Sequence, residues 1–172
     1  NYNAAAAKTI TVTVSRSLNS LSWAQINTLA KNGTLSNYAK VGDWKNVNVN
    51  GTVGTVNING TYRAVLIGIN HNSGVEGNNR AHFSIMHNGQ YSNAFIDGKY
   101  NQTTDDTSYF IGTDLWSANT PLTKYCNAFY NCFPAELQNV IVACKKYYLS
   151  VGHQNYRTDK IWSLSAIELF GN

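Results

Sequence analysis

The chain has two prolines, Pro121 and Pro134, and each opens a helical pattern. Thr120-Pro121 reads as an N-cap followed by proline at the first helical position, where the missing N–H costs nothing. Leu122, Cys126, Phe129 and Phe133 then recur at four, three and four, an apolar stripe that predicts a helix from Pro121 to Phe133. Pro134 opens a second helical pattern, with Leu137, Val140, Ile141 and Cys144 as its inward face. Lys145-Lys146 would sit at the negative end of its dipole. These two consecutive helices near the C-terminus set the scaffold.

Alternation governs most of the remainder. Lys8 to Ser15 alternates Thr with β-branched residues, the period-2 mark of a half-buried strand. Ser22 can cap a short helix over Trp23 to Lys31, which Asn32-Gly33 would end. From Val47 to Ile69 the chain alternates again, broken by Asn50-Gly51 and Asn59-Gly60, dipeptides suited to type I′ turns, so three antiparallel strands are expected. Asn70 to Arg80 reads as a long loop, and strands resume over Ala81 to Met86 and near Asn93 to Ile96. Ile161 to Leu169 reads as a closing strand. The expected fold is α+β: an antiparallel sheet with hairpins, one short N-terminal helix and the two consecutive helices near the C-terminus.

With 172 residues the chain can bury a real core, so one recognition domain over 19–172 is expected, preceded by a leading strand or the end of another domain over 1–18. Charged residues are only 13%, against about 25% in ordinary soluble domains, so the surface is polar but largely uncharged. A net charge of +4, scattered apart from Lys145-Lys146, lacks the basic stripe of a nucleic-acid binder. No apolar run is long enough to span a membrane, and the chain begins as if cut from something longer. Cys126, Cys132 and Cys144 cannot all pair within one chain and lack zinc spacing. Buried thiols, a Cys126–Cys132 bridge or a Cys132–Cys144 bridge all fit.

Three segments carry a resemblance: Leu66-Ile67-Gly68-Ile69-Asn70-His71-Asn72-Ser73-Gly74-Val75-Glu76-Gly77, Cys126-Asn127-Ala128-Phe129 through Pro134 to Ile141, and Thr158 to Ser165. The chain resembles an uncharacterised domain family of bacteriophage virion proteins (tail or fibre) and Firmicutes surface proteins, which often follows bacterial Ig-like domains. The likeness covers Ser22 to Gly171, and Lys8 to Ser15 is similar to the last strand of an Ig-like neighbour. Trp116 matches the tryptophan of the family's Gly-Gly-Trp turn. Asn119 stands where the family has Ser, and Pro121-Leu122 where it has Met-Arg. The element order is also similar to C-type-lectin-like variable proteins diversified by retroelements.

Candidate chemistry is sparse. None of His71, His82, His87 and His153 has the spacing of a metal or nucleophile motif. His71, Asn72 and Glu76 could converge as a hydrogen-bonded network, while His82, alternating with Phe83, should face solvent or a neighbouring loop. The acids sit mostly among turn residues. Asp105-Asp106 with Asp97 offers a loop calcium alternative without a twelve-residue calcium pattern. No catalytic residue, metal ligand or cofactor is therefore assigned.

What remains is Tyr, Trp and Asn on loops, which give rigid amphipathic contact area with adaptable hydrogen bonds. The candidate binding residues are Tyr109, Asp114, Trp116, Asn119, Tyr148, Asn155, Tyr156 and Arg157. The bland alternative is that about half of these rings fill a mixed core beneath the loops. The expected function is a non-enzymatic binding module, at a virion surface or outside the cell, that meets a host surface glycan or protein. Other virion subunits are expected partners, homo-oligomers are common in similar fibre proteins, and neither nucleic acid nor membrane insertion is expected. An architectural virion module and a polysaccharide depolymerase are the alternatives.

Overall fold

The computed structural model describes residues 17–53, 56–71, 73–87, 90–91, 121–150 and 153–162. The fold is α+β: the described residues form an antiparallel four-stranded sheet and two separate two-stranded antiparallel ladders. The predicted strands at Lys8–Ser15, Asn93–Ile96 and from Ser163 onward, and the cap at Thr120, lie outside the described residues.

Helix α1 (Trp23–Lys31) forms as its capping signals require. The Ser22 hydroxyl accepts from the Gln25 N–H at 3.1 Å, and the Gln25 side chain accepts from the Ser22 N–H at 2.7 Å. This reciprocal box satisfies two donors that a helix start would otherwise leave orphaned. Gly33, at φ +70, closes the other end, where its N–H reaches the Ala30 carbonyl. Replacing Ser22 by Ala should cost about 1 kcal/mol, measured by urea denaturation, while Ser22→Asp should cost much less.

The main sheet runs β1 (Trp44–Val49), β4 (Gly60–Ile69), β5 (Ala81–His87), β6 (Gln90–Tyr91), in that spatial order. Val47, Val49, Tyr62, Ala64 and Leu66 are buried on one face, packed with Trp23, Ile26, Leu35, Phe129 and Phe133. On the same face Phe83 meets the Trp23 ring edge-on at 5.5 Å. The opposite face carries exposed Asn46, Asn48, Thr61 and Arg63 at its β1 side. Alternation along β1 and β4 thus gives one apolar and one polar face, as period-2 patterning dictates.

The two Asn-Gly pairs do not make two hairpin tips. β1 pairs directly with β4, Val49 opposite Gly60, and both dipeptides lie at the base of one excursion. Within it β2 (Thr52–Val53) and β3 (Val56–Asn57) form their own small ladder. The base is pinched by Gly51 N–H to Asn59 Oδ1 at 2.8 Å and by Ile58 N–H to the Gly51 carbonyl at 3.0 Å.

Residues 70–80 contain one helical turn, α2 (Ser73–Glu76), inside the segment read as loop. Helix α3 (Pro121–Asn131) agrees with the sequence pattern: Phe129, Cys132 and Phe133 are buried and Cys126 is half-buried. The second predicted helix is corrected. Only Ala135–Gln138 (α4) is helical, and Cys144–Ser150 is a strand, β7, paired over seven positions with β8 (His153–Asp159). Val140, Ile141 and Val142 are β-branched and disfavour helix continuation, and Tyr147-Tyr148 favours extended backbone. Gln138 ends the helix pair by donating its amide to the Phe133 carbonyl at 2.7 Å. No helix among the described residues is long and apolar enough to cross a membrane.

Candidate functional site

The site begins with a bend that the sequence writes in asparagine and glycine. Asn70 and Asn79 adopt φ +55 and +63, a left-handed conformation that asparagine tolerates better than most residues. Asn70 and Arg80 close the bend: Arg80 N–H donates to Asn70 Oδ1 at 2.9 Å, and Asn70 N–H donates to the Arg80 carbonyl at 2.9 Å. Asn79 ties it to α1 through the Lys31 carbonyl at 2.9 Å. Glu76, at the end of α2, is thereby folded back over the start of β5, and its Oε2 contacts His82 Nε2.

A register shift between Leu66 and Gly68 fixes which way His82 faces. Leu66 pairs with Phe83, but Gly68 pairs with His82 and Ile69 with Ala81. The extra residue on β4 keeps Ile69, Ala81 and Phe83 on the core face, so His82 lies on the other face. Alternation thus had the phase of His82 right. It is not solvated there, being 3% exposed, because Glu76, Cys144 and Trp162 cover it. His71 meets the His82 ring edge-on at 4.4 Å, and a Cβ at Gly68 would collide with the His71 ring, so the glycine makes room for it.

The cover on His82 is the root of the β7–β8 hairpin. Cys144 is the first residue of β7, and its Sγ lies within 4.8 Å of the Glu76 and His82 ligand atoms. Trp162 follows β8 and stands edge-on to His82 at 5.9 Å. Lys160 provides a second tie, with Nζ 2.8 Å from the Tyr130 hydroxyl and 4.4 Å above the Tyr130 ring, on α3. Both ends of the hairpin are therefore seated on the frame.

Of the sequence-predicted site residues, Tyr109, Asp114, Trp116 and Asn119 lie outside the described residues. Tyr148, Asn155, Tyr156 and Arg157 all fall on the anchored hairpin. Tyr148 pairs directly with Asn155, Arg157 with Lys146, and Tyr156 with Tyr147, one position out of phase with the first two pairs. Tyr148, Asn155 and Arg157 thus share one parity of the ladder with Cys144.

Sequence reasoning missed the trio of Glu76, His82 and Cys144. His71 and Glu76, expected to converge with Asn72, each meet His82 instead. Asn72 lies outside the described residues, and the helical pattern over 134–144 misplaces Cys144 on a helix face. The three cysteines are thiols, Cys132 and Cys144 buried. Burial pushes the Cys132 thiol above its ordinary range, although a backbone hydrogen bond from Thr52 opposes this, so it stays protonated and inert at neutral pH. Burial, and then the Cys132 charge, likewise raises the Tyr62 phenol.

A carboxylate and an imidazole in contact, with a thiol within 4.8 Å of both, can form a structural network, a metal site or a nucleophilic triad. The triad reading requires substrate to reach the sulfur, yet Cys144 is 6% exposed and both other side chains 2%. No family model matches the chain, and comparisons with curated proteins and with solved structures find no match either.

Proposed function

We propose that this chain is a non-enzymatic recognition module of a phage virion or bacterial surface protein. Its β7–β8 hairpin, whose sequence carries Tyr148, Asn155, Tyr156 and Arg157, would be the segment that meets a host surface glycan or protein. The observation that carries the reading is the seating of both hairpin ends, Cys144 and Trp162 on His82 and Lys160 on Tyr130. A contact surface held on a fixed root loses less conformational freedom on binding, and tyrosine, asparagine and arginine are residues that interfaces favour. The low charge of the chain also suits a polar, neutral ligand such as a glycan.

The test exposes wild type and a Tyr148→Ala, Arg157→Ala double variant to glycan arrays and host surface extracts. Saturable binding that falls at least tenfold in the double variant, about 1.4 kcal/mol or more, supports recognition. Release of oligosaccharides from intact polysaccharide would overturn it in favour of a depolymerase. Absence of binding by a folded wild type would overturn it in favour of an architectural module.

A further inference from the structure

We propose that Glu76, His82 and Cys144 bind one divalent transition-metal ion of the zinc type, forming a structural centre that clamps the β7–β8 hairpin to the outer face of the main sheet. The three residues supply one carboxylate oxygen, one imidazole nitrogen and one sulfur, with all ligand atoms within 4.8 Å of one another. Around tetrahedral zinc, with Zn–S of about 2.3 Å and Zn–N and Zn–O of about 2.0–2.2 Å, such atoms sit roughly 3.3–3.7 Å apart. Cys144 needs to close by about an ångström at most, and the direct Glu76–His82 contact opens to admit the ion between them.

The donor chemistry selects the metal. Thiolate and imidazole favour zinc over magnesium or calcium, which prefer all-oxygen shells. The ligands come from α2, β5 and β7, so the ion joins segments far apart in the chain, where a clip removes most freedom from the unfolded state. All three residues are buried, so the ion would sit beneath the hairpin root. The three side chains fill three positions of a tetrahedral shell, and a water would take the fourth. Binding expels the Cys144 thiol proton to solvent, and the sulfur's electron pair goes to the metal, with no change of oxidation state.

The experiment uses the tag-free full chain, stripped with chelator and titrated with Co²⁺ and Zn²⁺. Wild type should take up one equivalent of cobalt with a thiolate-to-cobalt charge-transfer band in the near ultraviolet. Zinc should bleach that band and raise the melting temperature, and chelator should reverse the rise. Cys144→Ala, which keeps a small apolar group at the site, should fold and lose the band, while Cys126→Ala should retain it. The proposal is overturned if wild type shows no band and no zinc-dependent melting shift, or if Cys144→Ala gives the wild-type band. Because the wild-type titration stands alone, misfolding of a variant does not rescue the idea.

Discussion

Glu76→Ala should lower stability by about 3–5 kcal/mol, measured by urea denaturation in the presence of chelator. The carboxylate is the partner of a histidine that is 3% exposed, and neither side chain reaches bulk water. Removing it leaves the imidazole in a site where its lost interaction is not replaced by solvent, and opens a void beneath the hairpin root. The pair should also be strongly non-additive. His82→Ala on top of Glu76→Ala should cost clearly less than His82→Ala alone, with a coupling of about 1–3 kcal/mol. Filling the same volume with apolar residues, Glu76→Leu with His82→Phe, should recover much of the loss. A cost below about 1 kcal/mol for Glu76→Ala would mean that the pair is hydrated.

Gly51→Ala should destabilise by about 2–3 kcal/mol, toward the upper end of what overpacking costs. A Cβ built at Gly51 lies 2.5 Å from the Cys132 sulfur and 3.3 Å from the Cys132 Cβ. The sulfur cannot swing away freely, since Cys132 is buried and its Sγ donates to the Ala128 carbonyl at 3.2 Å. Asn50 N–H also holds the Cys132 carbonyl at 2.9 Å, so the backbones are locked together. The φ of +156 at Gly51 adds strain for any other residue. Cys132→Gly in the Gly51→Ala background should restore part of the loss. Gly74→Ala, where an added Cβ meets nothing within 4 Å, should change stability by less than about 0.5 kcal/mol.

Signals that act within one turn were legible in the sequence. Ser22 with Gln25, Gly33 after Lys31, and the Phe129–Phe133 stripe each name their own element, because caps and helical periodicity depend on neighbours three or four residues away. The second helix was not legible in full. Leu137, Val140, Ile141 and Cys144 do lie three and four apart and are buried or half-buried, but a short helix, a bend and a strand start satisfy the same spacing. Apolar periodicity alone does not tell these apart over so few residues. The Asn-Gly pairs were misplaced for a related reason: positive φ suits the pinched base of an excursion as well as a hairpin tip. For the site, alternation set the face of His82 correctly but said nothing of its cover. That cover comes from Cys144 and Trp162, long-range neighbours that no local pattern announces.

Amide hydrogen exchange on the hairpin tests directly whether the 144–159 ladder is held down through its root. In wild type, amides paired between β7 and β8 near Cys144 and Asp159 should exchange nearly as slowly as those between β1 and β4. In Glu76→Ala they should speed up far more than the β1–β4 amides do, because the hairpin loosens before the core opens. A hairpin that already exchanges freely in wild type, or one whose protection falls only in step with the whole sheet, would contradict such anchoring.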